Sequence, residues 1–219
     1  MRFGFSLILL IIINHSSVYA QKREKMVLAK GTSFIRFNFT GLADPVENNF
    51  SLGYEYRFKE KMSLSADLAY IFYSIYFENI KGASGLIFRP AFRLFIDEKN
   101  RGYIDTEIHY KHADYKIEDW LGRNCVDGIP AYEELTTFKY KRDILGLHLK
   151  IGYQGMLSRN GKIWYEIYTG AGIRGRWEKL KNEPGSCYNN ATAVVEFNGI
   201  NQHISYAVPT GLRLLYRIK

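Results

Sequence analysis

Alternation of apolar and polar residues along most of the chain constrains its fold more than any other feature, because a period of two belongs to a strand with two unlike faces. It is plainest where Phe50, Leu52, Tyr54, Tyr56 and Phe58 fall on one face and Ser51, Gly53, Glu55 and Arg57 on the other. The same pattern sets Leu64, Ala66, Leu68, Tyr70 and Phe72 against Ser63, Ser65, Asp67 and Ala69, and Leu86, Phe88, Phe92 and Leu94 against Arg89, Ala91 and Arg93. Ile104, Thr106, Ile108 and Tyr110 oppose Asp105, Glu107 and His109. Leu147, Leu149, Ile151 and Tyr153 oppose His148, Lys150, Gly152 and Gln154, and Ile163, Tyr165 and Ile167 oppose Trp164, Glu166 and Tyr168. A first strand near Ser33 to Thr40 and a last one from Val208 to Ile218 bring the expected count to eight.

Which face is inside decides the class. A soluble sandwich or barrel buries the apolar face, whereas a membrane barrel turns it outward to lipid. Aromatic residues at strand ends on the apolar face (Phe50, Phe58, Tyr110, Tyr153, Tyr216) suit girdles at two membrane interfaces. Charges of both signs occupy the middle of the other face: Arg36, Glu55, Arg57, Asp67, Arg89, Arg93, Asp105, Glu107, Lys150, Glu166, Arg174, Arg213 and Arg217. Small barrels fill their interior with side chains, so these residues are expected to form an interior ion-pair network rather than line an open pore. The expected fold is all-β: an eight-stranded antiparallel up-and-down transmembrane β-barrel.

The connections alternate short and long, as in membrane barrels with tight turns on one side and long loops on the other. Tight turns are expected at Lys59 to Lys61, Asp97 to Arg101 and Ser158 to Gly161. Loops are expected at Gly41 to Asn49, Glu78 to Ser84, Lys116 to Lys139 and Glu178 to Ile204. Ahead of the barrel, Arg2, the apolar run Phe3 to Ile13 and the small-residue site Val18-Tyr19-Ala20 read as a cleaved secretory signal peptide over residues 1–20. Residues 21–31 then form a short periplasmic segment and residues 32–219 the barrel.

On the strand Phe50 to Phe58 and the terminal run Pro209 to Ile218, the chain resembles the small eight-stranded outer-membrane barrels of the OmpA/OmpX type, especially the barrel-only proteins of Bacteroidetes. That resemblance covers about Thr32 to Lys219 and implies a bacterial outer-membrane location and a structural or surface-interaction role through the long loops. It implies the barrel-assembly machinery during biogenesis and a monomer, while the basic balance of the chain suits a membrane surface dense with anionic lipopolysaccharide, so lipid and lipopolysaccharide are the expected partners. The family's terminal strand usually ends in an aromatic residue; here the end is Tyr216-Arg217-Ile218-Lys219, so the assembly signal departs from the usual form.

Other groups invite chemistry. Cys125 and Cys187, the only two cysteines, fall in two long loops on one rim and could form a disulfide in an oxidising compartment; two free thiols are the alternative. His203 and Ser205 are two apart near the outer end of the last strand, with Glu196 the nearest acid. They resemble the His-x-Ser pair of an outer-membrane lipid A deacylase family, although Tyr206 stands where that family has Asn; this is the enzyme alternative, a lipid-modifying hydrolase. A soluble lipocalin-like ligand-binding barrel is the other alternative and requires the apolar face to point inward. His109 and His148 share the charged face with Asp105 and Glu107, where structural pairing is expected and no metal or cofactor. Gly170, Gly172 and Gly175 lie within a strand with no following helix, which excludes a phosphate loop. The formal charge of +8 comes from 30 Lys and Arg against 22 Asp and Glu spread along the chain rather than gathered in a stripe, which does not suit nucleic acid.

Overall fold

The structure, a computed structural model, describes residues 29–44, 46–188 and 204–218; the expected signal peptide lies outside them. The described residues form nine strands: β1 (Ser33–Asn38), β2 (Glu47–Lys59), β3 (Met62–Ser74), β4 (Ile80–Phe95), β5 (Gly102–Arg123), β6 (Tyr132–Met156), β7 (Ile163–Lys181), β8 (Ile204–Ala207) and β9 (Gly211–Arg217). A single 3-10 turn, Phe39–Gly41, follows β1, and no helix is long and apolar enough to cross a membrane. All pairings are antiparallel. Each strand from β1 to β7 pairs with its successor, β9 lies between β7 and β1, and the sheet thereby closes into a ring.

The expected eight strands become nine because the last one is divided. β8 pairs with β7 at Gly172–Gly175 and β9 pairs with it at Ile163–Tyr168. Between them Val208, Pro209 and Thr210 leave the ladder, where Pro209 has no N–H to give. β1 stops at Asn38, opposite Arg213. Beyond that level β8 pairs only with β7, and Glu47–Ser51 of β2 only with β3, among the described residues. The 3-10 turn packs against both β2 and β9 at this break in the wall.

At one end of the ring the connections are short, at Glu60-Lys61, 96–101 and 157–162, as expected. At the other end two loops are much shorter than expected. The stretch Lys116 to Lys139 is mostly strand, because β5 runs to Arg123 and β6 starts at Tyr132; the stretch Glu78 to Ser84 is mostly the start of β4.

The reason lies in an inversion of polarity along the strands. In the lower part of β5, Ile104, Ile108 and Tyr110 point outward and Asp105, Glu107, His109 and Lys111 are buried inside. Above Tyr110 the pleat continues without interruption, but Ala113, Tyr115, Ile117 and Leu121 are now inside and His112, Asp114, Lys116 and Glu118 outside. β6 changes at the matching level: Leu145, Leu147, Leu149 and Ile151 face out below, whereas Phe138 and Tyr140 face in above, with Lys139 and Lys141 outside. A hydrophobic cluster of Ala69, Ile71, Tyr76, Phe77, Ile87, Ala113, Tyr115, Ile117, Leu121, Phe138 and Tyr140 therefore fills the upper part like an ordinary water-facing β protein. Below it, the apolar side chains of the sequence pattern face out; Leu52, Tyr54, Leu68, Leu149 and Ile167 are each 47–58% exposed.

Candidate functional site

The lower interior is filled from the bottom upward. Phe34, Trp164 and Leu215 form its floor, each 0% exposed, and the Trp164 Nε1–H donates to the Gly161 carbonyl. Above them Tyr103 lies across Gly152 and Tyr168 across Gly211, where a Cβ on either glycine would strike the ring. Those rings carry cations: the Arg93 guanidinium stands 3.7 Å from the Tyr103 centroid and that of Arg213 4.2 Å from the Tyr168 centroid.

On this aromatic layer sits the charge network. Arg93 Nη1 donates to Glu55 and Glu166, each at 2.8 Å, and its Nη2 to Asp105 at 2.9 Å. Arg213 reaches Glu166 at 2.6 Å and Asp67 at 2.9 Å; Arg36 reaches Asp67 at 3.1 Å. Lys150 pairs with Glu107. Gln154 donates to both Glu55 and Glu166, and the Ser63 hydroxyl donates to Glu55. Burying charges this deeply is tolerable only because each carboxylate meets at least one cation.

The network includes nine of the thirteen expected residues: Arg36, Glu55, Asp67, Arg93, Asp105, Glu107, Lys150, Glu166 and Arg213. The other four arginines are placed differently. Arg57 is buried over the Phe95 ring at 3.7 Å, and Arg217 is half-buried at the end of β9 opposite Phe34. Arg89 and Arg174 face inward but meet no carboxylate within ion-pair distance among the described residues. Arg89 Nη2 donates to the Ser51 hydroxyl at 3.1 Å, and Arg174 Nε donates to His148 Nε2 at 3.1 Å.

Arg89 and Arg174 line a polar cavity of about 440 Å³ above the network, together with Glu107, His109, Lys111 and His148. Its wall includes Asn38, Thr40, Gly41, Asp44, Val208, Pro209 and Thr210, the residues at the break where β1 ends and the last strand divides. Because an arginine can only donate, His148 Nε2 accepts, and its Nδ1–H donates to Glu107 at 3.2 Å. Glu107, His109 and His148 bring three ligating groups within 4.8 Å of one another. Two of the three are already engaged: Lys150 and His148 take the two oxygens of Glu107, and Arg174 takes His148. This donor set does not suit a metal.

At the rim the expected disulfide is formed: Cys125 and Cys187 are bonded, with Cα atoms 6.0 Å apart. The bond ties the turn after β5 to the segment after β7, where Gly122 and Cys187 also exchange backbone hydrogen bonds. Arg123 donates to Glu134 at 3.0 Å and to Ser186 at 3.1 Å. Tyr188 packs on Phe138 and Tyr140 and donates to Asp119 at 2.8 Å. Burial, with Asp119 as acceptor, pushes its hydroxyl pKa up, and burial pushes that of Tyr140 up to about 12. Burial alone would raise the Asp143 carboxyl, but His112 and Lys141 hydrogen-bonded to it hold it below its usual value.

Ser205 is half-buried on β8 opposite Arg174; His203 and Glu196 lie outside the described residues. The upper cluster of Glu47 with Lys111, Tyr115 and Arg142 escaped the sequence reading, as did Gln154 and the two interior tyrosines. Their signal was parity: Gln154, Tyr103, Tyr168 and Lys111 each stand on the charged face of their strand. No protein-family model, curated protein or solved structure matches the chain.

Proposed function

We propose that this chain is an outer-membrane β-barrel with a filled polar interior and no wide channel, whose role is structural or surface-interacting through the disulfide-bonded rim. The observation that carries this reading is the inversion of polarity at Tyr110 on β5 and Leu145 on β6. Below that level the exposed face is apolar; above it the same strands turn Lys116, Glu118, Lys139 and Lys141 outward, with Trp120 and Leu135 among them. Such a change within one unbroken pleat is what a hydrocarbon boundary demands, because exposed apolar side chains favour lipid and exposed charges favour water. The outward apolar stretch of β6, Leu145 to Tyr153, fits the roughly 9–11 residues with which a tilted strand crosses a bilayer.

The partner that suits the outer boundary is an anionic lipid. Lys116, Lys139 and Lys181 stand side by side on β5, β6 and β7, and Lys141 faces Lys179 on the next outward pair. Like charges directly opposite one another are unfavourable, and Asp114 and Asp143 answer them only in part. Phosphates of lipopolysaccharide at that height would complete the pairing. A soluble lipocalin-like barrel would need Leu52 and Leu149 to line the cavity, where Ser51, Glu55 and Lys150 stand instead.

The test is spin labelling of the chain in lipid vesicles. A label on the Leu149→Cys variant should collide with oxygen and be shielded from a water-soluble relaxing reagent; one on Thr137→Cys should do the reverse. Equal access of the water-soluble reagent to both sites would overturn the membrane reading.

A further inference from the structure

The cavity above the charge network has an imbalance that the network itself does not. Its three acidic residues are all engaged. Asp44 accepts the Val46 and Glu47 N–H groups of its own loop, Glu47 is held by Lys111 and Tyr115, and Glu107 by Lys150 and His148. Arg89 and Arg174 have no such answer among the described residues. Arg89 has only a neutral hydroxyl as partner and its Nε is buried with none; Arg174 spends one N–H on a neutral imidazole. His109, 7% exposed, turns its ring to the same space and has no hydrogen-bond partner among the described residues.

We infer that this cavity is a binding site for a phosphate-bearing anion, held by Arg89 and Arg174 with His109 beside them. Two guanidinium groups that meet no carboxylate among the described residues, at the edge of a polar cavity, are the arrangement that recognises a tetrahedral oxyanion, since each can present parallel N–H donors to two oxygens. The cavity has room for a phosphate and its water, and it reaches the wall at the Pro209 break, where the ladder is interrupted. A cation is disfavoured there because Arg174 and Lys150 already hold the ligating atoms of His148 and Glu107. The site does not depend on the membrane reading. The phosphate could be a free solute or the headgroup of a lipid entering at the break.

The experiment is calorimetric titration of inorganic phosphate into the full-length chain in a maltoside detergent, alongside its thermal unfolding. Phosphate should bind and raise the Tm. Arg89→Gln and Arg174→Gln should each weaken binding about tenfold or more, the loss of a charge-assisted pair of hydrogen bonds. Without phosphate both variants should melt no lower than the native chain, because each removes a cation with no ion-pair partner among the described residues. Should either fail to fold, Arg89→Lys and Arg174→Lys keep the charge without the fork and should bind several-fold more weakly. Repeating the titration in phosphatidylcholine and in phosphatidic acid nanodiscs distinguishes the sources: competition by phosphatidic acid assigns the site to a headgroup, and equal binding in both assigns it to a solute. Absence of phosphate binding, undiminished binding by Arg174→Gln, or binding of zinc in its place would overturn the inference.

Discussion

Arg93 shows what a single residue does in this interior. Its guanidinium meets three carboxylates, from β2, β5 and β7, and its plane lies on Tyr103, so four staves of the ring converge on one side chain. Replacing it with alanine leaves Glu55, Asp105 and Glu166 buried together without their common donor. Arg93→Ala should destabilise the fold by about 3–5 kcal/mol, measured as a lowered urea midpoint in detergent. A cost under about 1 kcal/mol would mean that water enters the network and screens it. Parity along the sequence places Arg93, Glu55, Asp105 and Glu166 on one face, but says nothing of who meets whom. Arg93 and Glu166 are 73 residues apart, and only closure of the ring brings them to 2.8 Å. For the same reason Arg89 and Arg174, indistinguishable from the other interior arginines in sequence, turn out to meet no carboxylate among the described residues.

At the scale of an element, the longest hairpin is the most instructive. The alternation of β5 changes phase between Tyr110 and Ala113: the even-numbered Ile104, Ile108 and Tyr110 below are apolar, whereas His112, Asp114, Lys116 and Glu118 above are polar. Read from sequence, a lost phase looks like the end of a strand, which is why Lys116 to Lys139 resembles a loop. The backbone pleat does not break; the surroundings change. The last stave shows the opposite case, where an unbroken alternation from Val208 to Ile218 hides the break that Pro209 makes in the hydrogen-bond ladder. The disulfide acts at this scale as well, joining the β5–β6 turn to the segment after β7 across 62 residues. A variant carrying Cys125→Ser and Cys187→Ser should fold its barrel normally yet be cut many-fold faster by protease at 124–131, followed by mass spectrometry of the fragments. Unchanged cutting would show that Arg123 and the Gly122–Cys187 bridge hold the rim alone.

For the whole molecule, the interior and exterior make separate predictions. Introducing a charge on the apolar belt should be costly and introducing one above it cheap. Leu149→Arg should cost about 2–4 kcal/mol of folding stability in lipid vesicles, and Thr137→Arg close to nothing, measured by reversible denaturant titration. Equal costs would place both residues in the same medium. The floor of Phe34, Trp164 and Leu215, the ion-pair layer and the aromatic cluster around Tyr115 stack through the described barrel. In planar bilayers the chain should therefore give no steady conductance, and step-like openings of a porin would contradict a filled lumen.

Strand class, face parity and the sign of each face follow from the primary structure, because a pleated strand has a period of two whatever it packs against. The position of the two cysteines on one rim was legible for the same reason, since an up-and-down order sends alternate connections to the same end. Three features depend on the folded ring. Closure chooses which charges meet, the unbroken pleat of β5 and β6 makes the change of phase an inversion rather than a strand end, and the end of β1 beside the divided last stave leaves a cavity that no local pattern marks. Each of these is a relation between residues far apart in the chain, and a one-dimensional period carries no information about such distances.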